Sequence, residues 1–217
     1  MVRVEICGNR SREDLMLAVE AGADAVGFLV GIRHLTEDSL APAMAQHLVS
    51  QTPPFVSTVM VTHLFHANEI LDLYDVLLTS TIQLHDELDP QEIETIRTAR
   101  PHIILIKAIH VVDDTAIEAA QVFAPYVDAL LLDSRTANRI GGTGLTHNWT
   151  ISRRIVASVS KPVILAGGLN PSNVADAIRK VNPYGVDVNS GVDDAEGKKD
   201  VAKLNDFING AKSVSSL

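Results

Sequence analysis

The chain has a single cysteine, Cys7, in 217 residues. No disulfide framework can form, so the fold must rest on its own core, and a reducing, cytoplasmic setting is expected. Aromatic residues are scarce at 4%, which leaves Ala, Val, Ile and Leu to fill the interior. That favours layered helices and sheet over an all-β sandwich. Positive charge is also short. Lys and Arg number 18 against 27 Asp and Glu, a net charge of −9, and neither nucleic acid nor an anionic membrane would be drawn to such a surface. No apolar run approaches the length of a membrane span, and no basic segment leads into an apolar core at the N-terminus. No linker or low-complexity block divides the sequence, so one domain over residues 1–217 is expected, frayed only at the tail "SVSSL". A chain this long buries roughly 70% of its extended surface and needs no staples.

What is present is a repeated pair of patterns. Short aliphatic or β-branched runs predict strands at Val2–Ile6, Ala25–Val30, Ser57–Val61, Thr81–Leu84, Ile103–Ala108, Ala129–Leu132, Pro162–Ala166 and Val186–Asn189. Between and after them, apolar residues at i, i+3, i+4 spacing predict helices, from "SREDLMLAVEAG" to "KDVAKLNDFINGAK". Ser11 or Asn9 is suited to cap the first helix, Asn170 to cap the one opened by Pro171, and Pro42 to begin another. Near-continuous apolar strands are those of a sheet covered on both faces. Eight strand–helix pairs with short connections predict a closed (β/α)8 TIM barrel of the α/β class. The rival, an open doubly wound sheet, places its glycine fingerprint after the first strand. Here "ICGNRS" holds one glycine, and the glycine-rich sites follow strands six, seven and eight.

Barrels of this kind bind ligands at the C-terminal ends of their strands, with phosphate commonly held after strands seven and eight. Gly167 and Gly168 end strand seven in "LAGGLNPSN"; Ser190 and Gly191 end strand eight in "VNSGV"; Gly142 lies in the loop after strand six. Glycines there let backbone N–H groups close on an anion without any lysine. Strand alternation sorts the other candidates. In "VRVEIC", Val2, Val4 and Ile6 should face the helices and Arg3, Glu5 and Cys7 the barrel axis. By the same parity Asp133 ends strand six facing inward with Leu131, and Asp187, between two valines, points inward toward sugar hydroxyls. His63, His85 and His110 follow strands three, four and five and could converge on an ion. A histidine at a barrel rim more often contacts substrate or water, so neither metal nor cofactor is expected.

These stretches resemble the phosphoribosylanthranilate isomerase family of tryptophan biosynthesis over nearly the whole chain. "VRVEICG", "AGADAVGF", "QLH", "IKAI", "LLLD…GGTG…W", "LAGGLNPSNV" and "YGVDVNSGV" carry the resemblance. It implies a phosphosugar substrate and an Amadori rearrangement, with Cys7 as general base and Asp133 as general acid. It also implies Arg33 on the anthranilate carboxylate and His85 beside the substrate, in a monomer or homodimer. There are departures. The family's lysine before I-C-G is Glu5 here, whose charge would raise the Cys7 pKa, and Lys107 is a candidate to compensate across the barrel. Loop two, from about Gly31 to Ala41, spaces Arg33 differently. Met60-Val61-Thr62-His63-Leu64, His85-Asp86 and Leu145-Thr146-His147-Asn148-Trp149 replace family motifs that would read the aromatic ring. A related isomerase or lyase on another phosphosugar, or a silent phosphosugar-binding module, are the alternatives.

Overall fold

The computed structural model describes residues 1–33, 38–136, 139–140 and 146–214. Strands β1 (Arg3–Ile6), β2 (Ala25–Val30), β3 (Ser57–Thr62), β4 (Thr81–Leu84), β5 (Ile104–His110), β6 (Ala129–Asp133), β7 (Val163–Leu165) and β8 (Gly185–Val188) pair in parallel with their neighbours. β1 pairs with both β8 and β2, which closes the sheet into a barrel. The register sets Glu5 opposite Asp187 on one side and Ala25 on the other. The predicted strands match within two residues. A two-residue strand, Ser39–Leu40, extends the sheet beside β2.

Helices α1 (Arg12–Ala21), α2 (Pro42–Gln51), α3 (Ala67–Leu77), α4 (Pro90–Ala99), α5 (Thr115–Phe123), α6 (Trp149–Ser158), α7 (Val174–Val181) and α8 (Val201–Ser213) surround it. Their starts follow local chemistry. Ser11 Oγ accepts the Asp14 amide at 3.1 Å, and Pro42 and Pro90 sit in first turns, where a missing N–H costs nothing. Asn170 requires a correction. α7 begins at Val174, and Asn170 instead closes a lead-in turn, its Oδ1 accepting the Ser172 amide at 2.9 Å.

Alternation splits the core into two layers. Val4, Ile6, Val26, Phe28, Leu130 and Leu132 pack outward against helix residues such as Leu15, Ile93 and Phe207. Ile106, Ala108, Ala129, Leu131 and Ala166 fill the axis. Each fully buried aliphatic side chain contributes roughly 1.5–3 kcal/mol. Two inward assignments fail. Arg3 is exposed at the N-terminal rim, its guanidinium 3.0 Å from Asp24. Lys107 lies on the opposite facing from Ile106 and Ala108, buried between sheet and helices, with Nζ donating to the Asp86 and Ala108 carbonyls at 2.9 and 2.6 Å and resting 5.2 Å from the Phe123 ring. It cannot offset Glu5 inside the barrel. Burial lowers its pKa to about 8, against the pull of Asp86 and Glu87. Among the described residues, no helix is long and apolar enough to cross a membrane.

Candidate active site

The C-terminal ends of β1, β8, β6 and β4 bring their ionisable side chains to one mouth. Cys7 follows β1, its amide donating to the Val188 carbonyl at 2.9 Å, so β8 fixes its height. The next residue, Gly8, is left-handed (φ +74°), and a Cβ there would fall 2.2 Å from Asn189 Oδ1. Single ligating atoms of Glu5, Cys7 and Asp187 all lie within 4.8 Å of one another. Gly27 of β2 makes room for them: a Cβ there would meet Cys7 Sγ at 2.7 Å and Glu5 Oε1 at 2.9 Å. Glu5 Oε1 and Asp187 Oδ1 are buried without a hydrogen-bond partner among the described residues.

Two carboxyls this close and this dry resist ionising together. Burial, then the charge of Asp187, pushes Glu5 well above its ordinary pKa. Burial, then the charge of Asp133, pushes Asp187 up to about 7. The Cys7 thiol is also pushed well up, first by burial and then by Asp187 and Glu5, while Lys199 and the Gly8 amide pull it down. Lys199 is the cation that the sequence reading missed. Its side chain is 1% exposed and its Nζ donates to Asp193 Oδ1 at 2.7 Å and Asn189 Oδ1 at 3.1 Å. The "GKKD" stretch reads as a helix start, and nothing local reveals that its second lysine folds back under the end of β8.

Asp133 occupies the opposite side of the mouth. Its Oδ1 accepts the Ser134 amide at 2.8 Å, and Oδ2 lies 3.4 Å from His85 Nε2. Gln83 Nε2 sits 3.1 Å from His85 Nδ1 and fixes the ring. Burial by itself would raise the Asp133 pKa; the hydrogen bond and charge of His85, the charge of His110 and the Ser134 amide outweigh it and hold the carboxyl below its ordinary value. His63 stacks on His85 at 5.0 Å, and His110 meets it edge-on at 5.3 Å.

Gly167 and Gly168 are both left-handed (φ +78° and +67°). Packing explains a glycine at the end of this apolar strand. A Cβ on Gly167 would lie 2.5 Å from the Ser134 amide nitrogen and 2.9 Å from Asp133 Oδ1; one on Gly191 would lie 1.9 Å from the Leu169 carbonyl oxygen. The segments after β7 and β8 therefore touch backbone to backbone. Ser190 and Gly191 open a one-turn 3-10 helix, whose first amides have no intrahelical partner. Gly191→Ala is expected to force these segments apart, a change that urea unfolding would register. It should cost roughly 1–3 kcal/mol of stability, the usual range for overpacking. Gly142 lies outside the described residues.

Arg33 stands apart from the acid–thiol cluster. It is exposed, stacks 3.9 Å above the Phe65 ring, and lines a cavity of about 290 Å³ with Leu64, Phe65, His66 and Glu69 at the β2–β3 rim. A larger cavity, about 380 Å³, is lined by Glu94, Arg97, Tyr126, Asp128 and Lys161 at the N-terminal side of the barrel. It holds none of the gathered side chains, so chemistry rather than volume locates the site.

A closed parallel barrel whose ionisable groups converge at the strands' C-terminal ends defines a (β/α)8-barrel enzyme. Comparison with known proteins makes this specific. Residues 4–210 match the family model described as N-(5'-phosphoribosyl)anthranilate (PRA) isomerase. The N-(5'-phosphoribosyl)anthranilate isomerase 2 of Methanosarcina mazei is 43% identical over 98% of this chain and 95% of its own. The crystal structure of phosphoribosyl anthranilate isomerase from Thermotoga maritima superposes with a TM-score of 0.87 at 36% identity, covering 99% of this chain and all of that one. A phosphoribosyl anthranilate isomerase solved in complex with reduced 1-(o-carboxyphenylamino)-1-deoxyribulose 5-phosphate gives 0.84 at 34% identity, with 99% and 100% covered. The chain belongs to the N-(5'-phosphoribosyl)anthranilate isomerase family.

Proposed function

We propose that this barrel carries out the reaction of its family, the Amadori rearrangement of N-(5'-phosphoribosyl)anthranilate to the carboxyphenylamino-deoxyribulose phosphate, with Asp133 as general acid and Cys7 as general base. The observation that supports it is the placing of both side chains at one mouth, with Asp187 between them. The aminated ribose ring opens when Asp133 protonates the ring oxygen and the C1'–O bond breaks, leaving an iminium at C1'. Cys7 then removes the C2' proton, and the C–H electrons form an enolamine that tautomerises to the ketone. Atoms and charge balance without an external oxidant or reductant. Each positioned proton transfer is typically worth about 10²–10⁴ in rate.

Gly167, Gly168, Ser190 and Gly191, with Gly142 beyond the described residues, hold the ester phosphate through backbone amides. The sugar hydroxyls fall to Asp187 and His85, and Arg33 takes the anthranilate carboxylate from its stack on Phe65. Turnover of N-(5'-phosphoribosyl)anthranilate by the purified chain, after chelator treatment, tests the reading. Robust turnover supports it; none, with sugar-phosphate binding intact, overturns it.

The proposal extends to assembly. Phe55, Leu78 and Ile104 are exposed at the N-terminal ends of the adjacent strands β3, β4 and β5, Phe55 fully so and left-handed at φ 72°. Such a patch marks a contact surface, and one solved relative from Thermotoga maritima is described as dimeric. A homodimer is expected by sedimentation, and Phe55→Glu should convert it to monomer without loss of the barrel's circular dichroism.

A further inference from the structure

We propose that His85, His110 and Asp133 form a binding site for a divalent transition-metal ion, zinc being the best match, and that its occupancy switches the isomerase off. One ring nitrogen from each histidine and one Asp133 oxygen all lie within 4.8 Å of one another. A tetrahedral zinc with bonds of about 2.0–2.1 Å needs its ligand atoms roughly 3.3 Å apart. His85 Nε2 and Asp133 Oδ2, at 3.4 Å, already meet that spacing.

The surroundings are those of ligating side chains. His110 Nε2 is 3.1 Å from the His85 carbonyl, which can only accept, so the proton sits on Nε2 and the lone pair on Nδ1. A histidine that gives its far N–H to a backbone carbonyl is oriented as metal-bound histidines are. Gln83 does the same for His85. Its Oε1 has no hydrogen-bond partner among the described residues, while its Nε2 lies 3.1 Å from His85 Nδ1. Turning that amide over lets Oε1 accept an Nδ1–H, so that the ring, on giving up the Nε2 proton it shares with Asp133, turns its Nε2 lone pair to a metal. Ser134 anchors the other oxygen of Asp133. His63, which sequence alone groups with His85 and His110, lies nearly parallel to His85 at 13° and walls the site by stacking instead.

Two imidazoles and one carboxylate suit Zn²⁺, Co²⁺ or Ni²⁺ and not the all-oxygen preference of Mg²⁺ or Ca²⁺. Three protein ligands leave a fourth position for water at the mouth. A carboxylate bound to metal cannot carry the proton the ring oxygen needs, so zinc and substrate compete. The inhibition rests on Asp133 being the acid; the binding does not.

Cobalt provides a readout independent of turnover. Titration of the full chain with Co²⁺ should give the visible absorption of a four-coordinate nitrogen–oxygen site, displaced by Zn²⁺. Zn²⁺ should inhibit turnover competitively, and chelator should restore it. His110→Ala and His110→Gln should each lose the cobalt band and raise the half-inhibiting Zn²⁺ concentration at least tenfold, whereas Cys7→Ser keeps the band. A wild-type cobalt spectrum in folded His110 variants, or a band lost in Cys7→Ser, would overturn the site. Cobalt binding with no zinc inhibition of an active enzyme would overturn the switch. An enzyme with no turnover at all but an intact cobalt band would instead count against the acid–base assignment.

Discussion

Asp133→Asn is expected to lower kcat by about 10²–10⁴-fold while leaving binding of the phosphate-bearing product within a few-fold. The asparagine keeps the shape of the side chain, and its carbonyl still accepts the Ser134 amide that Asp133 Oδ1 accepts at 2.8 Å. What it cannot do is deliver a proton, and a positioned general acid is worth a factor of that size. Cys7→Ser should cost as much or more, because a serine hydroxyl in a site that already disfavours a thiolate has almost no tendency to ionise. The two losses should not multiply in the double variant, since removing either transfer already blocks the sequence of steps. Steady-state kinetics and product calorimetry on the three variants check this. A loss confined to KM would mean that the pair binds substrate without moving protons.

The free protein holds Asp133 below its ordinary pKa, which at first sight suits a base better than an acid. The lowering depends on the hydrogen bond and charge of His85 and on the charge of His110 outweighing burial. A substrate carrying a phosphate and a carboxylate brings negative charge to the same mouth and pushes the other way. Bound substrate thus strengthens the hold of Asp133 on the proton it must deliver, and the alkaline limb of kcat should lie at higher pH than that of kcat/KM.

Much of this was legible in the sequence because the barrel enforces period two on every strand. Glu5, Cys7, Asp133 and Asp187 all interrupt aliphatic runs at one parity, and a charged side chain in such a run has only the axis to turn to. Gly167 and Gly191 stood out for a related reason: main chain approaches main chain there and no side chain fits, while Gly168 holds a left-handed turn. Lys107 was misread because β5 is covered on both faces, so apolar neighbours flank it on either parity and give no sign of which way it turns. Lys199 could not be found at all. Its partners Asn189 and Asp193 are near in sequence, but its effect on Cys7 depends on how β8 returns beside β1. Arg33 came from the resemblance alone, and its stack on Phe65 depends on how the segments after β2 and β3 meet, which no local pattern gives.

Glu5→Lys, which restores the residue of the family's opening motif, is expected to stabilise the protein above neutral pH and to shift its rate profile to lower pH. Asp187 titrates at about 7 in the folded chain and near 3.9 in an unfolded one. Between those values the native state binds a proton that the unfolded state has released, so stability falls as pH rises from about 4 to 7. The full penalty, reached above pH 7, is on the order of 4 kcal/mol at about 1.4 kcal/mol per tenfold in proton affinity. A lysine opposite Asp187 supplies a cation that opposes the burial and the Asp133 charge raising the Asp187 pKa, and it removes Glu5 from the charges that keep the Cys7 thiol protonated. Urea unfolding at pH 5 and pH 8 should show wild type losing roughly 2–4 kcal/mol between them relative to the variant. Glu5→Gln should recover part of that difference, because it deletes a buried carboxyl whose own pKa is raised, without supplying a cation. The thiolate fraction at pH 7 should rise in Glu5→Lys, and kcat/KM with it. If both variants kept the wild-type dependence of stability on pH, the buried carboxyls of Glu5 and Asp187 would not be the groups that titrate between pH 5 and pH 8.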